Sequence, residues 1–149
     1  MAKIVPAEVV VDKRLEKFLK AVHDICRSSD RFYRKVDVAD GHIAFRASQT
    51  GSDIRNAMTR EFIASVLLHG KLNQKQCKMS NPIELVMEGR FKTLSYTKYN
   101  PIEEVKCNNV AMRVVVREGS PKHLVVTLYH LQEQDTDMNS LPEVPSNVW

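Results

Sequence analysis

AMRVVVREGSPKHLVVTLYHL, residues Ala111–Leu131, is the stretch that decides the fold. Two runs rich in valine flank Glu118–Lys122, a segment with Gly, Ser and Pro that is typical of a turn. The pattern predicts two antiparallel strands, Val110–Arg117 and His123–Leu131. A hairpin of two strands is marginal alone in water, so other elements have to pack on it.

The two faces of this hairpin differ, because successive side chains of a strand point to opposite sides. One face is predicted to pack on helices, and it comprises Val110, Met112, Val114, Val116, Leu124, Val126 and Leu128. The other carries Ala111, Arg113, Val115, Arg117, His123, Val125, Thr127 and Tyr129. A five-residue loop would place Arg117 opposite His123 and Arg113 opposite Thr127, with Tyr129 diagonal to Arg113. This second face is either an ordinary solvated surface or one that binds phosphate.

Two helices are predicted before the hairpin. Asp12 is a candidate N-cap, and apolar residues at helical spacing follow it as far as Cys26. Thr59 is the N-cap of a second predicted helix, which ends at His69 with Gly70 at the C′ position.

Between and after these helices the pattern favours strands. Residues 31–52 are either a strand that turns at Asp40–Gly41 or, in their second half, a helical turn. Apolar alternation over 83–87 predicts a further strand, with a turn at Glu88–Gly89 and a return along Phe91–Tyr99.

Together these elements predict an α+β fold. We expect one domain over residues 1–131, in which N-terminal helices pack on a four- or five-stranded antiparallel sheet. Residues 132–149 contain four acidic residues, no Lys or Arg, and two prolines, and we expect them to be a flexible tail.

Composition limits the class of protein. The 149-residue chain has a net charge of +4 and a pI of about 9.0, which permits a polyanionic partner. Cys26, Cys77 and Cys107 lack paired spacing, so we expect reduced thiols, neither a disulfide nor a zinc site, and a cytoplasmic location. No apolar run is long enough for a membrane helix, and no motif predicts a metal or another cofactor.

Three elements of the sequence occur in a characteristic order. Residues 42–46 read His-x-x-x-Arg, and a Met-Thr step at Met58–Thr59 precedes a short predicted helix that ends in Val66–Lys71. A strand pair follows, with Arg-Val-Val-Val in residues 112–116 and Val-Thr-x-Tyr in residues 124–129. These elements resemble those of the RelE-like ribonucleases of the barnase–EndoU–colicin–RelE superfamily, in particular a poorly characterised branch. The resemblance covers the chain from His42 to Leu131.

This resemblance implies RNA cleavage without a metal ion, in which a 2′-hydroxyl attacks the adjacent phosphate and the 5′-oxygen leaves. It implies that His42 is the acid or base, and that Arg46 and Arg113 bind the phosphate. Thr127 and Tyr129 would position the phosphate or the ribose. Further residues expected to contact RNA are Arg117, His123, Lys71, Lys75 and Lys78, although the three lysines are equally typical of a solvated loop.

The alternative hypothesis is a non-catalytic basic protein that binds and inhibits another macromolecule, protein or RNA, on a degenerate nuclease fold. The acidic tail has an apolar trace, Leu141, Val144, Val148 and Trp149, that is typical of a docking segment. The partners expected are RNA, a cognate antitoxin or immunity protein, another protein, or a second copy of the chain. Geometry separates the hypotheses, because an enzyme needs His42 or His123 close to Arg113 in a concave site.

Overall fold

A computed structural model describes residues 12–38, 60–98, 102–131 and 137–149. Within these ranges the helices are α1 (Lys13–Cys26), α2 (Ser29–Lys35) and α3 (Arg60–His69). The strands are β1 (Val36–Val38), β2 (Lys71–Leu72), β3 (Glu84–Lys98), β4 (Glu103–Arg117) and β5 (His123–Leu131). Short 3-10 helices lie at Gln74–Gln76 and Met138–Ser140.

The strands form one sheet in the order β1-β5-β4-β3-β2, and the helices share a buried core with one of its faces. The predicted α+β class with N-terminal helices is therefore confirmed. The sheet is mixed rather than wholly antiparallel, because β1 runs parallel to β5 with Val36 beside His123. β1 follows α2 without a loop and so enters the sheet beside the first residue of β5.

Helix α1 begins and packs as its sequence predicts. The Asp12 carboxylate accepts hydrogen bonds from the backbone N–H groups of Arg14 and Leu15 at 2.8 and 3.1 Å, and these bonds lower its pKa. The apolar positions spaced along the helix, Leu15, Phe18, Val22 and Cys26, are all buried.

The segment after α1 resolves part of the alternative left open for residues 31–52. Ser28 caps a second helix, since its Oγ accepts from the N–H of Arg31 at 3.3 Å, and Phe32 is buried beneath that helix. Strand structure begins only at Val36. The predicted turn at Asp40–Gly41 lies outside the described residues.

The predicted turn at Glu88–Gly89 is wrong, because β3 continues through both residues to Lys98. Gly89 pairs with Met112 of β4 in the middle of the sheet. A Cβ atom on Gly89 would lie 2.8 Å from Cγ1 of Val144. The glycine therefore permits a close contact with the C-terminal residues rather than a change of chain direction.

The predicted hairpin is confirmed, but its register contains a β-bulge. Val115 pairs with Thr127 whereas Val116 pairs with Val125, which leaves Val126 as the extra residue. The bulge changes the parity of β5 on its N-terminal side. As a result Val125, predicted for the polar face, is 2% exposed and lies in the core that the helices cover.

Residues 137–149, which we name the C-terminal clasp, differ from the expected flexible tail because they pack on the domain. Beyond the first residue of β2, the N–H of Arg90 donates to the carbonyl of Pro142 at 3.0 Å, and the N–H of Val144 donates to the carbonyl of Arg90 at 2.8 Å. Leu141 is 4% exposed and packs with Ala111, whereas Val144 is 3% exposed and lies in the helix-side core. The clasp therefore wraps around an edge of the sheet.

The far end of the clasp is held between the helices. The indole Nε1–H of Trp149 donates to the carbonyl of Cys26 at 2.9 Å, and its ring centroid lies 5.5 Å from that of Phe32. Oε1 of Glu61 accepts from the backbone N–H groups of Val148 and Trp149 at 2.9 and 3.3 Å. These contacts join α1, α2 and α3 to the clasp.

The close approach of Gly89 and Val144 predicts a size-dependent coupling. Gly89→Ala should lower the free energy of unfolding by about 1–3 kcal/mol, because the stiff Val144 side chain cannot move away from the new methyl group. In a Val144→Ala background the same change should cost much less, since the colliding methyl is absent. Urea unfolding of the four chains measures this coupling. An equal cost of Gly89→Ala in both backgrounds would contradict it.

Candidate functional site

The sheet face turned away from the helices, here named the outer face, gathers several of the predicted site residues. Pairing places Lys71 beside Glu88, Glu88 beside Arg113, and Arg113 beside Tyr129, which forms one row across β2, β3, β4 and β5. Directly paired residues occupy the same face of a sheet. The core residues Met87, Met112 and Val114 alternate with this row, so the row belongs to the outer face.

A second row lies on the same face. Lys78 bridges to Glu84, and Glu84 pairs with Arg117. Thr127 occupies a position between the two rows through its pairing with Val115. This register also differs from the sequence prediction, since Arg113 pairs with Tyr129 rather than with Thr127. The pairing is shifted by one residue at the turn, where Arg117 pairs with Leu124, and the bulge adds a second residue.

Glu88 is a site residue that the sequence interpretation missed, because it was assigned to a turn. Its side chain is 7% exposed, and its Oε2 lies 2.6 Å from Nε of Arg113. Nδ2 of Asn73 donates to both carboxylate oxygens at 3.3 Å. The nearly buried carboxylate is thus satisfied by a guanidinium and an amide. Its spacing of four residues from Glu84 is the signal that places both acids on one face of a strand.

The second arginine also has a carboxylate partner. Nε of Arg117 lies 2.9 Å from Oε2 of Glu84, in a pair whose side chains are 46% and 23% exposed. Both guanidinium groups of the predicted phosphate-binding face are therefore partly neutralised from β3. In the two rows, the positive charge in excess comes from Lys71 and Lys78.

The three lysines expected to contact RNA are all exposed, namely Lys71, Lys75 and Lys78. Within the part of the chain that the structure describes, none of them forms an ion pair. The two rows contain Lys71, Lys78, Arg113 and Arg117 as cations, and Glu84 and Glu88 as carboxylates. Together the two rows are therefore net positive by two charges.

His123 does not belong to this face, so its predicted position opposite Arg117 is wrong. Its role as an RNA contact stays a prediction. The bulge turns it toward α1, where its ring centroid lies 5.0 Å from that of Phe18 in an edge-to-face arrangement. Its Nδ1 accepts from the N–H of Gly119 at 3.1 Å. Arg117 pairs with Leu124 instead.

The remaining predicted catalytic residues are only partly placed. His42 and Arg46 lie outside the described residues, so their roles stay predictions. Thr127 and Tyr129 are placed by the strand register alone, opposite Val115 and Arg113.

A concave feature of the described residues lies away from the outer face. An open groove of about 510 Å³ lies beside the end of α1 and along α2, lined by Asp24, Ile25, Arg31, Arg34 and Lys35. Both of its arginines already pair with acids, Arg31 with Asp24 and Arg34 with Asp30.

Among residues 12–38, 60–98, 102–131 and 137–149, no cluster of three His, Cys, Asp or Glu side chains suited to a metal ion occurs. In the same ranges no helix is long and apolar enough to cross a membrane.

Comparison of the chain with protein-family models, with curated proteins and with solved structures gave no match.

The two arginine pairs should differ in their contribution to stability. Arg113→Ala should lower the free energy of unfolding by about 1–3 kcal/mol, because Glu88 is left nearly buried with only an amide partner. Arg117→Ala should cost at most about 1 kcal/mol, since water reaches its pair. Urea unfolding compares the two variants. Equal losses would show that the burial of Glu88 does not set the cost.

The environment of His123 predicts loss of stability in acid. Burial lowers the pKa of His123, and it also lowers the pKa of His23. The unfolded chain therefore binds protons more readily, and the free energy of unfolding should fall as the pH drops below about 6.5. His123→Phe keeps a ring against Phe18 and should reduce this fall. Urea midpoints between about pH 7.5 and pH 5 measure it, and an unchanged pH dependence would exclude His123 as a source.

Proposed function

We propose that this chain is an endoribonuclease that needs no metal ion and that binds RNA on its outer face. The observation that carries the proposal is the row Lys71, Glu88, Arg113 and Tyr129 across four strands. This row brings an ammonium group, a carboxylate and a guanidinium to one face, with a phenol-bearing residue beside Arg113. Two of its members, Arg113 and Tyr129, belong to the strand pair that resembles RelE-like ribonucleases.

Charge on the outer face supports binding of a phosphate backbone. Lys71 and Lys78 are exposed at the edge where β2 pairs with β3, and they flank the two arginine pairs. A lysine ammonium group binds phosphate as a point charge, and each contact made releases counterions from the nucleic acid. Binding through these residues therefore depends strongly on salt.

Glu88 supports the role assigned to Arg113. The short contact between Glu88 and Arg113, together with Asn73, fixes the guanidinium above the sheet before any ligand binds. A cation held in place in this way stabilises the charge that develops on the non-bridging oxygens of the phosphorane, at little cost of reorganisation. In this arrangement Glu88 acts as a positioning residue for Arg113.

The reaction follows from the chemistry of RNA. A base removes the proton of the 2′-hydroxyl, the 2′-oxygen forms a bond to phosphorus, and the bond from phosphorus to the 5′-oxygen breaks. An acid gives a proton to the leaving 5′-oxygen, so the products are a 2′,3′-cyclic phosphate and a 5′-hydroxyl. The resemblance assigns the proton transfers to His42 and a second phosphate contact to Arg46. Thr127 and Tyr129 would orient the phosphate or ribose from the outer face.

A second candidate function is non-catalytic binding of a macromolecule on the same face. The observation that favours it is the pairing of both arginines with carboxylates, which weakens their attraction for phosphate, together with the position of His123 against α1. The described residues of the outer face include no histidine to transfer protons, so under this second function the face binds its partner without cleaving it.

Cleavage of a defined single-stranded RNA in EDTA tests the proposal. The parent chain should produce fragments that end in 2′,3′-cyclic phosphate, and both Arg113→Ala and His42→Ala should lower the rate at least about 100-fold. Arg34→Ala is the matched control, because this exposed arginine pairs with Asp30 on α2 and lies away from the outer face. Circular dichroism verifies folding of each variant.

The outcomes separate the two functions. RNA binding by folded parent protein without cleavage would favour the non-catalytic function. If Arg113→Ala still cleaves RNA, the outer face is excluded as the catalytic centre. If cleavage is lost in Arg113→Ala but persists in His42→Ala, the outer face remains the proposed centre and His42 is excluded as the acid or base.

A further inference from the structure

We propose that the C-terminal clasp competes with RNA for the outer face. Its first part, Asp137–Leu141, has to detach from the sheet before RNA can occupy the whole face. The inference rests on the proposed RNA binding and adds a regulatory contact to it. It starts from the position of Leu141, which packs with Ala111 and Leu131 in a small apolar cluster separate from the main core.

This cluster is the neighbour of the candidate site. Ala111 pairs with Leu131, and each lies two residues from a member of the first row, Arg113 and Tyr129 respectively. Residues two apart on one face of a strand are separated by about 7 Å. A nucleotide whose phosphate lies on Arg113 would therefore bring its neighbour against the position that Leu141 covers.

The charge of the segment fits a competitor of RNA. Asp137 and Glu143 are exposed in the clasp, and residues 132–149 contain neither Lys nor Arg. The clasp, residues 137–149, lies beside the two rows, which carry two more cations than carboxylates. A phosphate backbone would be attracted by the same cations and repelled by the same acids.

The attachment of the clasp allows one half to move while the other stays. Leu141 lies on the outer face, whereas Val144 and Trp149 are anchored on the helix side of the sheet edge. Among the described residues, the half over the outer face is held by the buried Leu141, by the partly buried Met138, and by local hydrogen bonds within Asp137–Leu141. Local opening of so few contacts is far easier than unfolding of the domain.

Affinity for an RNA that cannot be cleaved is the first measurement. A fluorescently labelled, unstructured 2′-O-methyl RNA of about ten nucleotides serves as the probe, because it lacks the 2′-hydroxyl that cleavage requires. Leu141→Ala removes the side chain that covers the outer face and should tighten binding. If the covered form makes up about 90% of the parent, complete release tightens binding about tenfold. Val148→Ala, on the helix side, is the matched control and should leave affinity unchanged.

Hydrogen exchange of the parent chain gives a second, independent readout. Ordinary binding slows exchange at a contacted surface, whereas displacement of the clasp should speed exchange at the amides of Ser140 and Leu141 when the probe is added. This measurement needs no variant, so it stands even if Leu141→Ala fails to fold. Trp149, the single tryptophan, should keep its emission, which verifies that the helix-side anchor remains.

Each outcome bears on the proposal. Tighter binding by Leu141→Ala with faster exchange in the parent supports it. Equal or weaker binding by a folded Leu141→Ala, or slower exchange at Ser140 and Leu141, overturns it and leaves RNA binding by the outer face intact. If neither parent nor variant binds the probe, the proposed function itself fails and the competition with it.

Discussion

The antiparallel pairing of β3 with β4 is the constraint on which the rest of the structure depends. It runs from Glu84 beside Arg117 to Lys98 beside Glu103, so it fixes which face each side chain takes along the longest strands described. One face then receives the apolar residues that α1 and α3 cover. The other receives both arginines together with the acids that hold them. A shift of one residue in this pairing would exchange the two sets and place charge in the core.

Local signals explain which elements could be predicted from the sequence. The cap at Asp12 and the apolar spacing after it define α1, and the turn residues near Gly119 define the hairpin, because both act within a few residues. The bulge at Val126 leaves no such signal. Val125 and Val126 are the same residue type, so either can face the core, and the chain pattern cannot say which one does. The misplacement of His123 follows from that ambiguity.

Glu88 and the clasp were missed for a different reason, which is that their partners are distant in sequence. Glu-Gly favours a turn when it is considered alone, and only the pairing of Gly89 with Met112 and its contact with Val144 show that the strand continues. The prolines in the clasp are compatible with a free tail and equally with an extended segment docked on a sheet edge. The lysines of the outer face could be named from the sequence as candidate RNA contacts. The acids that partly neutralise the two arginines could not, because their position depends on the register of β3.

Contacts between distant parts of the chain also determine when the fold can be completed. The indole of Trp149 bonds to a carbonyl 123 residues earlier, and β1 pairs with a strand that begins only at His123. During synthesis α1 and α2 are made long before the residues that complete their environment, whereas β3, β4 and β5 can pair with neighbours as they emerge. Assembly should thus begin with the meander β3-β4-β5, and the N-terminal helices should wait for it. In a ribosome-bound chain their apolar faces would meanwhile be open to chaperones.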